Sequence, residues 1–192
     1  MSPKISPANE TGTAAGFRSS DLCLDCGLCC DGAIFTSVVL ADDEVEGAKA
    51  LGLAPYIEDD RAYFGQPCPR FSGICEIYAD RPLRCREFRC VLLKRLDERE
   101  VEWGEAQALV REARRLAVQA EAASPAGETR VHARERWERD FAAMSSNPSG
   151  SPRPADPRWL LAMTALNHFL DRHFREPKQR RLTEASDPPP SR

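Results

Sequence analysis

No stretch of this 192-residue chain approaches the roughly 20 consecutive apolar residues a membrane-spanning helix requires. Val38-Val39-Leu40 and Val91-Leu92-Leu93 are each soon interrupted by charge. Charge of one sign is also lacking: 27 Lys and Arg against 30 Asp and Glu leave a net −3. That balance gives neither a nucleic-acid footprint nor attraction to an anionic membrane surface, so neither partner is expected. Residues 1–20 hold Pro, Ser, Thr, Gly and Ala with a lone Lys4 and no apolar core, so no secretory signal is expected there. No nucleophile–base–orienter set, phosphate-cradling glycine loop or paired-carboxylate motif stands out. Cysteine is absent from everything after Cys90.

What is present is therefore conspicuous by its confinement. All eight cysteines lie between Cys23 and Cys90, a crowding that asks for one shared cause. In a secreted chain that cause would be disulfides; without a signal, a cytoplasmic location is expected, where thiols stay reduced and metal ligation is favoured. Thiolates are soft donors, so magnesium and calcium are set aside in favour of zinc, copper(I) or iron–sulfur.

The first half of the cluster is Cys23-x-x-Cys26-Gly27-x-Cys29-Cys30 and the second is Cys68-Pro69, Cys75, Cys85 and Cys90. A two-residue spacer lets a tight turn bring two sulfurs onto one ion, with Gly27 free to take the left-handed backbone such turns require. The side chains of adjacent Cys29 and Cys30 diverge in most backbone conformations, so they are expected to face different sites, or one of them to be structural. Eight thiolates suffice for two tetrahedral four-sulfur zinc sites; four of them would hold an iron–sulfur cluster instead. The spacing leaves both open. Arg81, Arg84, Arg86 and Arg89 surround Cys85 and Cys90, where they either favour thiolate or form an ordinary solvated face. His132, His168 and His173 read as polar surface residues rather than ligands, and Trp103, Trp137 and Trp159 as core residues.

Around the cysteines, Ile34 to Leu40 suggests a short strand. Asp42 or Asp43 is expected to cap a helix through Val45, Ala48 and Leu51, ending at Gly52. Tyr56 to Phe71, punctuated by Gly65, Pro67 and Pro69, reads mainly as loop. Asp80-Arg81-Pro82 predicts a helix start, with Asp80 as the cap and Cys85 on the helix. Five residues are about 140° around such a helix, so Cys85 and Cys90 would not serve one small site from one face. From Asp97 the composition turns to Ala, Glu, Arg and Leu. Val110, Ala113, Ala117 and Ala120 then mark a helix that Ser124-Pro125-Ala126-Gly127 breaks. Trp137, Phe141 and Met144 mark a second helix. After the Ser/Pro/Gly-rich stretch 145–157, the Asp156 cap with Pro157 opens a third, with Trp159, Met163, Leu166 and Leu170 inward and its end near Glu176.

The combined pattern resembles the YkgJ-like family of cysteine-cluster proteins, also called the CxxCxxCC or zinc- or iron-chelating domain. The residues that carry the resemblance are Cys23-x-x-Cys26-x-x-Cys29-Cys30, Cys68-Pro69 and Gly73-Ile74-Cys75-x-Ile77-Tyr78-x-x-Arg81-Pro82-x-x-Cys85-Arg86-x-Phe88. The resemblance spans about Asp21 to Cys90 and implies metal chelation without a known reaction. A similar cysteine segment occurs in flagellin lysine methylases, which implies an iron–sulfur alternative; no methyl-donor motif accompanies it here.

The expected architecture is α+β, a small irregular cysteine-rich metal-binding module followed by a mainly helical region. The expected organisation is a disordered tail over 1–20, the metal-binding module over 21–96, a helical region packing on it over 97–176, and a disordered tail over 177–192. The expected cofactor is zinc or iron, possibly as an iron–sulfur cluster, with Cys23, Cys26, Cys29, Cys30, Cys68, Cys75, Cys85 and Cys90 as ligands. A structural module organising a protein partner, an iron–sulfur redox or catalytic protein and a metal-handling carrier are the three functional classes this admits.

Overall fold

A computed structural model describes residues 19–146 and 156–179. The expected tail segments 1–18 and 180–192, and most of the connecting stretch 145–157, lie outside them.

Helix α1 (Ser19–Cys26) begins two residues inside the expected N-terminal tail and buries Leu22. It ends at Gly27, whose φ of +68° is the left-handed conformation anticipated for the turn. The Gly27 carbonyl accepts from the amides of Cys30 (2.9 Å) and Asp31 (3.0 Å), folding the chain back immediately after the first two cysteines. A side chain here would be strained and would collide, because a Cβ would lie 2.3 Å from Phe71 Cζ.

Strand β1 (Ser37–Leu40) falls inside the predicted one. A 3₁₀ turn (Asp42–Glu44) and α2 (Val45–Ala50) follow, but Asp42 and Asp43 are not its caps. Ala41 is the N-cap of the 3₁₀ turn and Glu44 that of α2; Glu44 Oε2 accepts the Ala41 amide at 3.0 Å, so the carboxylate three residues on serves the exposed donor.

The segment read mainly as loop contains a hairpin, β2 (Pro55–Glu58) and β3 (Arg61–Gly65). Its two-residue connection is Asp59-Asp60, both at positive φ (47° and 58°), the conformation a tight hairpin turn demands and aspartate tolerates. Strand β3 is central, in the antiparallel order β1-β3-β2. It buries Ala62 and Phe64 with the two-residue period of a half-covered sheet. These two, with Leu40, Ala48, Leu53, Cys68 and Ile77, make a small second core.

Helices α3 (Leu83–Glu87), α4 (Val91–Asp97), α5 (Trp103–Ala122), α6 (Arg130–Ser146) and α7 (Pro157–His173) complete the described chain with a 3₁₀ turn at Pro177–Gln179. The predicted cap at Asp80 is absent: α3 opens at Pro82 without a side-chain cap. It stops at Phe88, which is extended, so Cys85 and Cys90 belong to different elements and the helical-angle argument between them does not apply. The cap at Asp156 is present, its carboxylate accepting from the amides of Arg158 (2.8 Å) and Trp159 (3.3 Å).

The main core joins α1 and α4 to the helices that follow. Helix α5 buries Ala106, Val110, Ala113, Ala117 and Ala120 on one face, and these short side chains let α7 approach with Trp159, Met163, Leu166 and Leu170. Trp137 and Trp159 are fully enclosed, with indole N–H groups donating to Thr164 Oγ1 and Ser124 Oγ at 3.1 Å each. The result is the expected α+β arrangement, in which the cysteine-bearing segments rest on both cores.

Candidate metal centre

Five stretches of backbone deliver the eight cysteines. Helix α1 presents Cys23 and Cys26 one turn apart, and the Gly27 turn presents Cys29 and Cys30. The loop after β3 presents Cys68 and Cys75, α3 presents Cys85, and Cys90 is the N-cap residue of α4. All eight are free thiols, and all eight line one or both of two adjoining cavities.

The smaller cavity, about 50 Å³, contains Cys26 and Cys90 and is otherwise walled largely by apolar groups such as Leu22, Leu28, Leu92 and Phe174. The larger, about 700 Å³, contains Cys68, Cys75 and Cys85 and is bordered by Arg81, Arg84, Arg89 and Lys94. Cys23, Cys29 and Cys30 touch both.

Packing separates the adjacent pair. Cys29 rests, with Cys26 and Cys90, on the main core; Cys30 rests, with Cys75 and Cys85, on the second core to which buried Cys68 belongs. The amide of Cys68 donates to the Cys30 carbonyl at 2.7 Å, tying the second half of the cluster to the first across the sheet insert. The 68–75 loop is closed by Phe71 N–H to Cys68 O (3.1 Å), a bridge between Phe71 and Cys75, and an Arg70–Glu76 ion pair at 3.2 Å.

Burial dominates the acidity of Cys23, Cys26, Cys29, Cys30, Cys68, Cys85 and Cys90. It pushes Cys29 well above the ordinary range, with the nearby charge of Cys90, Cys26 and Cys23 adding to the effect. Burial likewise raises Cys26, Cys23 and Cys68, takes Cys30 and Cys85 to about 12 and takes Cys90 to about 11. Opposing it are groups that favour thiolate: the amide of Leu28 at Cys26, that of Arg70 at Cys68, those of Leu93 and Leu92 at Cys90, and the Arg81 guanidinium at Cys23. Arg81 is held over the Tyr78 ring, 3.6 Å from its centroid.

Desolvated thiols this close together, with amide and guanidinium donors directed at several of them, suit a soft cation that would take them as thiolates. Among the described residues, no three His, Cys, Asp or Glu side chains already stand closed around a point that could hold an ion.

Of the four arginines singled out in the sequence, Arg81, Arg84 and Arg89 border the larger cavity and Arg86 does not. None of His132, His168 and His173 lines either cavity. Sequence reasoning missed the arginines that fix the chain just after Cys30. Arg134 donates to the carbonyls of Ile34 (3.1 Å) and Gly32 (3.4 Å), Arg175 to that of Ala33 (2.8 Å), and Arg130 pairs with Asp31 (2.8 Å). Their partners lie 99 to 142 residues away, and no local signal announces them.

The site is thus a cluster of one buried and seven half-buried cysteines held between helices and a small sheet. Residues 22–108 match the CxxCxxCC family model, described as a putative zinc- or iron-chelating domain. The match takes in every cysteine, α1 to α4 and the start of α5. No curated protein and no solved structure matches the chain. Among the described residues, no helix is long and apolar enough to cross a membrane.

Proposed function

We propose that this chain is a cytoplasmic metal-binding protein that holds zinc or iron through the thiolates of Cys23, Cys26, Cys29, Cys30, Cys68, Cys75, Cys85 and Cys90. The observation that carries the reading is that five backbone segments bring all eight cysteines to the walls of two adjoining cavities. A merely structural cysteine behaves as a small isolated hydrophobe, whereas these share two cavities with one another. The family match supports chelation of zinc or iron in general. Bound zinc would supply a closed, redox-inert crosslink; bound iron would add electron transfer. The chain's own contribution is to gather the sulfurs, seat Cys26, Cys29 and Cys90 against the main core, and favour thiolate through the Leu28, Arg70, Leu92 and Leu93 amides and Arg81.

An iron–sulfur centre is the second reading, favoured by the apolar wall around the smaller cavity, since burial is one of the levers that set the potential of such clusters. Anaerobic purification followed by metal and acid-labile sulfide analysis with a visible spectrum separates the two. Colourless protein with zinc and no sulfide supports the first; brown protein with matching iron and sulfide supports the second. Protein that carries neither metal, and takes up neither on anaerobic reconstitution, would overturn both.

A further inference from the structure

We infer that the larger cavity is a binding site for a small organic anion, a molecule with an apolar body and one carboxylate, phosphate or sulfonate group, seated beside the cysteines. This goes beyond metal binding and does not depend on which ion the sulfurs hold.

The room is far more than an ion requires. A water-sized particle needs only about 10–15 Å³. The cavity measures about 700 Å³, within the roughly 300–1,000 Å³ of small-molecule sites. Nor is it confined to the sulfurs. Its wall includes Ser37 and Val38 of β1, Lys94 of α4 and Lys178 of the C-terminal 3₁₀ turn, elements that carry no cysteine.

The wall offers both parts of such a ligand a partner. Phe35 and Phe88 meet edge to face with centroids 4.7 Å apart, and with Val38 and Phe71 they supply apolar surface for an organic body. Five cations, Arg81, Arg84, Arg89, Lys94 and Lys178, also line the cavity. Three of them are matched by acids: Arg84 by Glu87 at 3.7 Å, Lys94 by Glu176 at 2.5 Å, and Arg89 by Asp97. Arg81 meets only the Tyr78 ring and Cys23, and Lys178 is exposed; among the described residues neither has a carboxylate partner. An anionic group completes this wall, because hydrogen bonds between ionised partners are stronger than neutral ones.

The test uses the full chain as purified anaerobically, with metal content measured in parallel. It is titrated with two fluorescent probes of like apolar body, the anion 1-anilinonaphthalene-8-sulfonate and N-phenyl-1-naphthylamine, which lacks the sulfonate. A purely apolar cavity would favour the neutral probe. One anion per chain is expected instead, bound about tenfold or more tighter than the neutral probe. Arg81→Gln/Lys178→Gln should remove that preference and leave the neutral probe's affinity unchanged. Lys178→Gln alone, on an exposed turn, should reduce the preference about threefold, which keeps the proposal testable if the double variant does not fold. Ser37→Trp adds a large ring at the cavity wall from a residue in neither core and should weaken both probes. Equal affinity for the two probes, a preference untouched by Lys178→Gln, or binding untouched by Ser37→Trp would overturn the proposal. Metal-free protein that still binds the anion would defeat the metal reading alone, and metal-bearing protein that does not bind it would defeat this one alone.

Discussion

Replacing Arg175 with Met should destabilise the protein by about 3–5 kcal/mol, although the residue lies 85 positions beyond the last cysteine. Its guanidinium is 1% exposed and donates to Asp171 Oδ1 at 2.8 Å, Asn167 Oδ1 at 2.9 Å and the Ala33 carbonyl at 2.8 Å. Methionine keeps much of the apolar stem but leaves a buried carboxylate without this cation and a buried carbonyl without this donor. Removing one member of a buried ion pair costs about 3–5 kcal/mol, and losing the donor to a buried acceptor about 1–3. The two share one network and should not be summed. Against a total stability of about 5–15 kcal/mol, the variant should still fold, with a clearly lower urea midpoint in equilibrium denaturation at fixed metal content. The double variant Arg175→Met/Asp171→Leu should recover part of the loss, because it removes the carboxylate that the guanidinium faces. A single-variant cost below about 1 kcal/mol, or a double variant with simply additive losses, would refute the account of this contact. Because Ala33 lies three residues after Cys30, the variant should also release metal faster than the unmodified chain.

Gly27→Ala should cost about 2 kcal/mol or more, since it forces a Cβ both onto a left-handed backbone and into the Phe71 ring; an unchanged denaturation midpoint would contradict that. Metal-free protein should lose stability as pH rises from about 9. Thiols held near 11 at Cys90 and near 12 at Cys30 and Cys85 keep their protons in the fold after the unfolded chain has released its own. Their contribution is complete below the unfolded value and gone above the folded one; a thermal midpoint that rises between pH 9 and 11 would have the wrong sign. Stripping the metal should also open the sheet insert first, because the link between Cys30 and Cys68 anchors both its ends. Limited proteolysis should then cut between Asp31 and Pro67, and equal cutting rates with and without chelator would show that metal does not hold it.

The helical half was open to reading because its signals are local. Alanine and valine at three- and four-residue spacing, and Asp156-Pro157, act within a turn or two of themselves, and α5 and α7 run where those signals place them. The hairpin was hidden because its turn uses Asp59-Asp60 rather than a glycine, and the prolines on either side suggested loop. Asp42, Asp43 and Asp80 failed as caps because a suitable residue type near a helix start does not fix which group reaches the exposed amides.

For the site, sequence by itself determined the donor chemistry: eight thiols in one stretch, spaced for turns, with soft metals as their natural partners. Adjacency alone gave the expectation that Cys29 and Cys30 point apart, since neighbouring side chains diverge in most backbone conformations. Only the tertiary structure decided where each of them points. That depends on two cores built from residues far along the chain, and on Arg134 and Arg175 gripping residues 32–34 from about a hundred positions away or more. Local spacing constrains which atoms can be neighbours along the backbone, whereas burial, cavity volume and access are set by what packs across it.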